Sequence, residues 1–298
     1  MRTFQLLSLC ALGAIANAQT HHDIVIVSGQ SNARPNYANG IFDRISSSGT
    51  LDSPLLFHRH HSGNRLDRWI SGTPGSYTLA ENFLNDFWNP DGGSDLQQFV
   101  AGIEADGDTW DIAAFFWFQG ESDTGSAYQR SLYFGRFFYM LNTIEAEYGL
   151  DHDIPFIVTA IDYNGDDQAL ADIGRTPQDI EDMRAVHFEI GEGVPYGATF
   201  DSRGWPRLDL WHVGSHDDPR GIYGPVMDLG SDEADMLIAL PPRAGRADLN
   251  GDGILDLHDI AVFIDWFVAD DPRADLAPPV DVYDLADVQT FVDAFLAG

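Results

Sequence analysis

Cysteine occurs once in this 298-residue chain, at Cys10, and lysine does not occur at all. A lone thiol excludes an internal disulfide framework and a cysteine-ligated zinc site. The cationic side chains are therefore all arginine: 16 of them, set against 47 acidic residues, for a net charge of −31. A surface of that sign repels nucleic acid and anionic membranes, and it suits calcium or a salty medium. Long apolar runs are also missing. The longest candidate, Leu6 to Ile15, falls short of the ~20 residues a membrane-spanning helix needs. With Met1-Arg2 before it and Ala16-Asn17-Ala18 after it, that run reads as a secretory signal peptide over residues 1–18, cleaved after Ala18. Cleavage removes Cys10, which also excludes a cysteine nucleophile and leaves a secreted, extracellular chain with no membrane segment.

What remains alternates between strands and helices. Ile24–Val27, Ile112–Phe118, Ile154–Ile161 and a weaker Gly197–Phe200 are short apolar runs without polar alternation, the pattern of strands buried on both faces of a parallel sheet. Helical stretches fall at Leu79–Phe87, Leu96–Glu104, Ala127–Tyr148 and Pro177–Ile190, the last with Thr176 as cap and proline at its first position. This alternation predicts an α/β sandwich of three layers over residues 19–240. A Pro-Pro-Arg-Ala-Gly-Arg stretch at 241–246 then reads as a linker.

Residues 247–298 differ in kind. Asp248, Asn250, Asp252, Asp256 and Asp259 put oxygen side chains at loop positions 1, 3, 5, 9 and 12, with the carbonyl of Ile254 at position 7 and Gly253 at position 6. That is the EF-hand spacing, in which glycine permits the sharp turn that wraps oxygens around a hard cation, so calcium is the implied ion. The segment 247–267 repeats at 274–295 with one inserted residue. The second loop carries Ala277 and Pro279 where ligands belong, leaving Asp275, Asp281, Asp284 and Asp287 for an altered geometry.

The chemistry-bearing residues cluster at strand ends. The first strand runs into Ser28-Gly-Gln-Ser31-Asn32, and the second into Gln119-Gly-Glu121-Ser-Asp123. Ser31 suits a helix cap as well as a nucleophile. A nucleophile needs a base, a group to orient that base, and donors for an oxyanion. Asp209-Leu-Trp-His212 has the spacing that lets a carboxylate reach a histidine Nδ1 and leaves Nε2 free for a serine proton. Gln119, at the same sheet edge, offers an amide N–H to a developing negative charge. Glu121 is expected to brace the serine loop, and His58, His60 and His61 to lie in a surface loop. Trp69, Trp117, Trp205 and Trp211 are expected mostly in the core, with Trp205 or Trp211 able to stack on a sugar.

"GQSNA", "FFWFQGESD" and "DLWH" resemble blocks I, III and V of the SGNH hydrolases, whose fold is a flavodoxin-like α/β/α sandwich. More narrowly they resemble the sialate O-acetylesterase and acetylxylan esterase branch (carbohydrate esterase family 6-like). The resemblance implies Ser31 as nucleophile, His212 as base and Asp209 as its partner. It also implies an oxyanion hole from the Ser31 N–H, the Gln119 side chain and Gly75, the last in a stretch resembling block II. Ala33 replaces the usual methionine, and His216 stands near His212 without the spacing. The implied activity is removal of O-acetyl groups from carbohydrate such as xylan or sialic acid, with no catalytic cofactor. The paired loop–helix units at the C-terminus resemble a type I-like dockerin, a small all-α EF-hand-like module, which implies structural calcium and a cohesin-type partner. A non-catalytic attachment protein and an esterase for lipid or aryl esters are the alternatives.

Overall fold

The computed structural model describes residues 19–69, 96–240, 245–277 and 282–297. The expected signal peptide, the helix expected at 79–87, Gly75 and Asp281 lie outside the described residues. Among the described residues no helix is long and apolar enough to cross a membrane.

Five strands form one parallel sheet in the order β2-β1-β3-β4-β5. They are β1 (His21–Gly29), β2 (Leu55–His60), β3 (Thr109–Phe118), β4 (Phe156–Ala160) and β5 (Gly197–Asp201). The central strands are inaccessible on both faces: Ile24 to Val27 and Ala114 to Phe118 are fully buried. A strand covered on both sides has no polar face to alternate with, which is why these segments read as unbroken apolar runs.

The covering helices are α1 (Pro35–Ser48), α2 (Leu96–Ala105), α3 (Ala127–Tyr148), the short α4 (Asp167–Asp172), α5 (Pro177–Glu192) and α6 (Gly224–Ile238). Helix α1 packs on α6 on one face of the sheet, and α3 packs on α5 on the other. This is the three-layer α/β/α arrangement that strand–helix alternation predicts. Helices α1 and α6 cross closely at Gly40, where an added Cβ would lie 2.1 Å from the Met227 carbonyl oxygen. The α5 cap also forms as the sequence indicates: the Thr176 hydroxyl accepts from Asp179 N while the Asp179 carboxylate accepts from Thr176 N.

One assignment changes and one alternative is removed. Residues 55–60 form an edge strand, so His58 and His60 lie on β2 with stacked rings 5.1 Å apart, not in a surface loop. Ser31 is no helix cap, because α1 starts at Pro35 with Arg34 in the capping position.

Residues 245–277 and 282–297 form a small all-α unit with its own core. Its helices α7 (Leu257–Val268) and α8 (Leu285–Ala297) stack Phe263 on Phe291 at 4.3 Å between ring centroids. The expected linker is engaged at its distal end. Gly245 bridges to His152, and buried Arg246 donates to Glu145 Oε2 at 2.8 Å with Asp153 at 3.6 Å. Asn142 donates to the carbonyls of Pro272 and Asp275, and Arg273 to that of Gly193. The unit is thus hydrogen-bonded onto α3 and the end of α5.

Candidate active site

Strand order decides where a site forms. In a parallel sheet ordered 2-1-3-4-5, the connections leaving β1 and β3 diverge, and a crevice opens between their C-terminal ends. Ser31 follows β1 and Gln119 follows β3, so both sit at that crevice. The two chain segments touch: Gln30 N donates to the Phe118 carbonyl at 2.8 Å. Gly29, at φ +140°, makes this approach possible, since a Cβ there would fall 2.2 Å from the Phe118 oxygen.

Beneath Ser31 lies a buried polar network. Gln30 Oε1 accepts from Gln119 Nε2 at 2.8 Å, from Gly120 N and from Ser122 N, while Gln30 Nε2 donates to Ser122 Oγ at 2.7 Å. Gln119 Nε2 also donates to Asp123 Oδ2 at 2.6 Å and to the Asn64 carbonyl at 3.2 Å, and Gln119 Oε1 accepts from the Tyr133 hydroxyl at 2.7 Å. Gln119 is expected to offer its amide to an oxyanion. The side chain is fully buried, and its amide hydrogens are directed at protein acceptors. As placed, it braces the Gln30 turn rather than presenting a donor to an oxyanion. Burial pushes the Asp123 carboxyl up to about 6, against hydrogen bonds from Gln119 and Leu66 N that pull it down.

Asp209 and His212 are a bonded pair. His212 Nδ1 lies 2.7 Å from Asp209 Oδ2 and 2.9 Å from Oδ1, and Asp209 Oδ1 accepts from the backbone N–H groups of Trp211 and His212. Partial burial alone would raise the Asp209 carboxyl, but the bonds from the His212 ring and these backbone donors outweigh it and hold the group below the usual range. The pair rides on a tight loop whose sides are closed by Leu208 N to the His212 carbonyl and Gly214 N to the Pro206 carbonyl.

Asn32 joins this loop to the serine turn. Its Nδ2 donates to the Trp211 carbonyl at 3.1 Å and to Glu121 Oε1 at 2.9 Å, and its Oδ1 accepts from Val213 N at 3.0 Å. Glu121 thus braces the serine loop from below. Burial raises its carboxyl, and the bond from Asn32 opposes the shift. Ser31 is partly exposed, and its carbonyl accepts from Arg34 Nε at 3.0 Å. Arg207, partly exposed, donates to the Trp211 carbonyl at 2.8 Å and to Ser202. Gly75, the third expected oxyanion donor, lies outside the described residues.

Gln30, Asn32, Arg207 and Tyr133 carry no signal of their role in the sequence. The first two lie inside the same motif as Ser31, but their partners are some 90 to 180 positions away. Trp69 and Trp117 are fully buried, whereas Trp205 and Trp211 are partly exposed, Trp211 beside the Arg175 guanidinium at 5.9 Å from ring centroid.

In the C-terminal unit, Asp248 and Asp259 are buried, and their carboxylates accept from backbone N–H groups: Gly251 and Gly253 on Asp248, Asn250 and Asp256 on Asp259. Gly253 takes φ +77°, the turn that position 6 of a cation loop requires. Asn250, Asp252 and Asp256 follow in order around the turn, with no arginine among them. The donor types and the turn fit a hard cation. Even so, among the described residues no three His, Cys, Asp or Glu side chains converge on a point that could hold a metal.

Residues 61–196 match the family described as SASA, carbohydrate esterase, sialic acid-specific acetylesterase. The match takes in Gln119 and Glu121 and stops short of Ser31, Asp209 and His212. No curated protein matches the chain. Among solved structures, a protein from Arabidopsis thaliana is similar at 15% identity and TM-score 0.48, over 74% of this chain and 99% of that one. Est24, a carbohydrate acetylesterase from Sinorhizobium meliloti, is similar at 10% identity and TM-score 0.43, over 73% and 99%. A carbohydrate esterase family 3 protein from Talaromyces cellulolyticus is similar at 13% identity and TM-score 0.42, over 74% and 97%. Likeness at this level carries neither substrate nor residue roles with it.

Proposed function

We propose that this protein is a secreted serine esterase that removes O-acetyl groups from carbohydrate through an acetyl-enzyme. The observation that carries the reading is the Asp209–His212 pair, held by Asn32 against the turn that presents Ser31. Asp209 fixes His212 with its Nδ1–H toward the carboxylate, which leaves Nε2 as the basic nitrogen. Ser31 Oγ attacks the acetyl carbonyl carbon as its proton passes to Nε2. The tetrahedral oxyanion is held by the Ser31 N–H and, by resemblance, Gly75. Collapse breaks the ester C–O bond, His212 returns the proton to the departing sugar oxygen, and an acetyl-Ser31 remains. Water then attacks with the same base, releasing acetate and restoring the serine.

Between the two sugar classes, the arginines favour an acidic one. Arg34 and Arg175 are partly exposed, form no ion pair with any described carboxylate, and sit against Ser31 and Trp211 respectively. In a chain of net charge −31, such guanidinium groups at a crevice suit a carboxylate-bearing sugar, in line with the sialic acid description of the matched family. The test is turnover of O-acetylated sialic acid, acetylated xylan and longer-chain aryl esters side by side. The reading expects acetate from the first two, with sialic acid the better substrate. Preference for long acyl chains would instead support the lipid or aryl esterase.

The C-terminal unit fits a calcium-dependent docking role. Asp248, Asn250, Asp252, the Ile254 carbonyl, Asp256 and Asp259 would hold the ion, which supplies structure and takes no part in ester cleavage. Exposed apolar residues recur at one offset along the two repeats: Ile254 with Val282, Leu257 with Leu285, Ile264 with Val292, Val268 with Leu296. Between α7 and α8 an apolar pocket of about 410 Å³ is lined by Phe263, Phe267 and Phe291, among others. A duplicated apolar face of this kind supports a protein partner of the cohesin type.

A further inference from the structure

We infer that Asn32 is the positioning residue that sets His212 relative to Ser31, with Arg207 as its counterpart on the far side of the histidine loop. The inference rests on the esterase reading and deepens it.

Asn32 is 1% exposed, and three of the four hydrogen-bonding directions of its amide are met by other parts of the fold. One N–H direction goes to Glu121, the other to the carbonyl of Trp211, and the oxygen takes the N–H of Val213. The last two bonds grip the backbone groups immediately before and after His212. The main chain on both sides of the base is therefore tied to the residue that follows the nucleophile. An amide is the side chain suited to this task, because it alone pairs a donor and an acceptor in the fixed planar spacing of a peptide edge. A carboxylate would repel the Trp211 carbonyl, and a hydroxyl would not span both groups.

Arg207 fills the remaining acceptor direction of that carbonyl. Its Nη1 lies 2.8 Å from the Trp211 oxygen, and its Nη2 donates to the Ser202 carbonyl and hydroxyl at the end of β5. The loop bearing Asp209 and His212 is thus suspended between β1, through Asn32, and β5, through Arg207. Neither residue faces the crevice as an acid, base or nucleophile. Their effect on the reaction passes through where His212 stands. Misplacement of a reacting group by about 1 Å costs on the order of 100-fold in rate, so the link is one on which turnover depends.

Asn32→Ala is the test, read beside Asn142→Ala. Asn142 also donates to two backbone carbonyls, but at the junction with the C-terminal unit, far from Ser31 in the sequence. The expected result for Asn32→Ala is a fall in kcat of about 10- to 100-fold with KM changed less than about twofold. Labelling of Ser31 by a fluorophosphonate probe should slow by a similar factor, since it needs the same base. Asn142→Ala should lose melting temperature and keep both kcat and labelling rate. Should Asn32→Ala not fold, Arg207→Lys keeps a cation near Trp211 but not the bond to Ser202, and is expected to show the same split with a smaller loss. An Asn32→Ala enzyme with wild-type kcat and labelling, or a loss of kcat shared by Asn142→Ala, overturns the inference. A wild-type protein that neither releases acetate nor takes the probe at Ser31 overturns the esterase reading itself, and this inference with it.

Discussion

At the scale of single residues, buried carboxyl groups set the terms. Asp209 is the exception, with its side chain 56% exposed, so its bond to His212 works partly in water. In a fully buried serine–histidine–aspartate triad, replacing the aspartate by asparagine lowers kcat by about 10⁴-fold. Solvent screening at this site should moderate the loss, so Asp209→Asn is expected to retain fold and KM while kcat falls by roughly 10²- to 10³-fold, measured as acetate release under saturating substrate. Glu233 lies at the opposite extreme. It is fully buried between the Tyr37 hydroxyl and Thr159 Oγ1, and burial drives its carboxyl up from 4.5 to about 8, with the two hydrogen bonds pulling the other way. The folded protein therefore keeps a proton that the unfolded chain releases. Its contribution to stability is fully present below pH 4.5 and is lost progressively as pH rises toward 8. Glu233→Gln should flatten the fall in melting temperature over that interval. Parallel curves for the two proteins would show that Glu233 titrates normally.

At the scale of elements, legibility followed burial. β1 and β3 stood out because both faces are covered and the whole segment must be apolar. β2 did not, because an edge strand ending in His58, Arg59 and His60 has no such requirement. Helix α1 was also hidden. Its buried positions Tyr37, Ala38, Ile41 and Ile45 have helical spacing, but asparagine, glycine and serine between them read as loop. The site was legible where its residues neighbour one another in sequence, as Asp209 and His212 do. It was illegible where a bond closes across the fold, as with Asn32 and Val213, or where burial redirects a side chain, as with Gln119. The linker belongs to this scale too. Arg246 neutralises Glu145 and Asp153, and burial followed by repulsion from Glu145 pushes the Asp153 carboxyl up to about 7. Arg246→Ala leaves buried Glu145 and half-buried Asp153 without their cation, a change that costs about 3–5 kcal/mol. The expected outcome is a lower denaturation midpoint and faster proteolysis near residue 245. Unchanged cleavage and stability would show that the C-terminal unit is not held by this ion pair.

At the scale of the whole molecule, charge and modularity meet. The chain carries a net charge of −31 and no lysine, and on the proposed docking reading calcium would offset the carboxylates of the loop at Asp248–Asp259. Calcium that binds only the folded state stabilises it by mass action, by about 2.7 kcal/mol at a hundredfold excess over Kd. Melting of the C-terminal unit should therefore shift upward with millimolar calcium and return with chelator, while esterase activity stays constant. A melting curve indifferent to calcium would remove the ion from the account. The central claim is different and simpler: that Ser31 is the nucleophile of an acetyl-carbohydrate esterase. Acetate release from O-acetylated sialic acid and acetylated xylan, by wild type beside Ser31→Ala, tests it most directly. The account predicts release by the wild type and none above background by the variant; turnover by Ser31→Ala at the wild-type rate would contradict it.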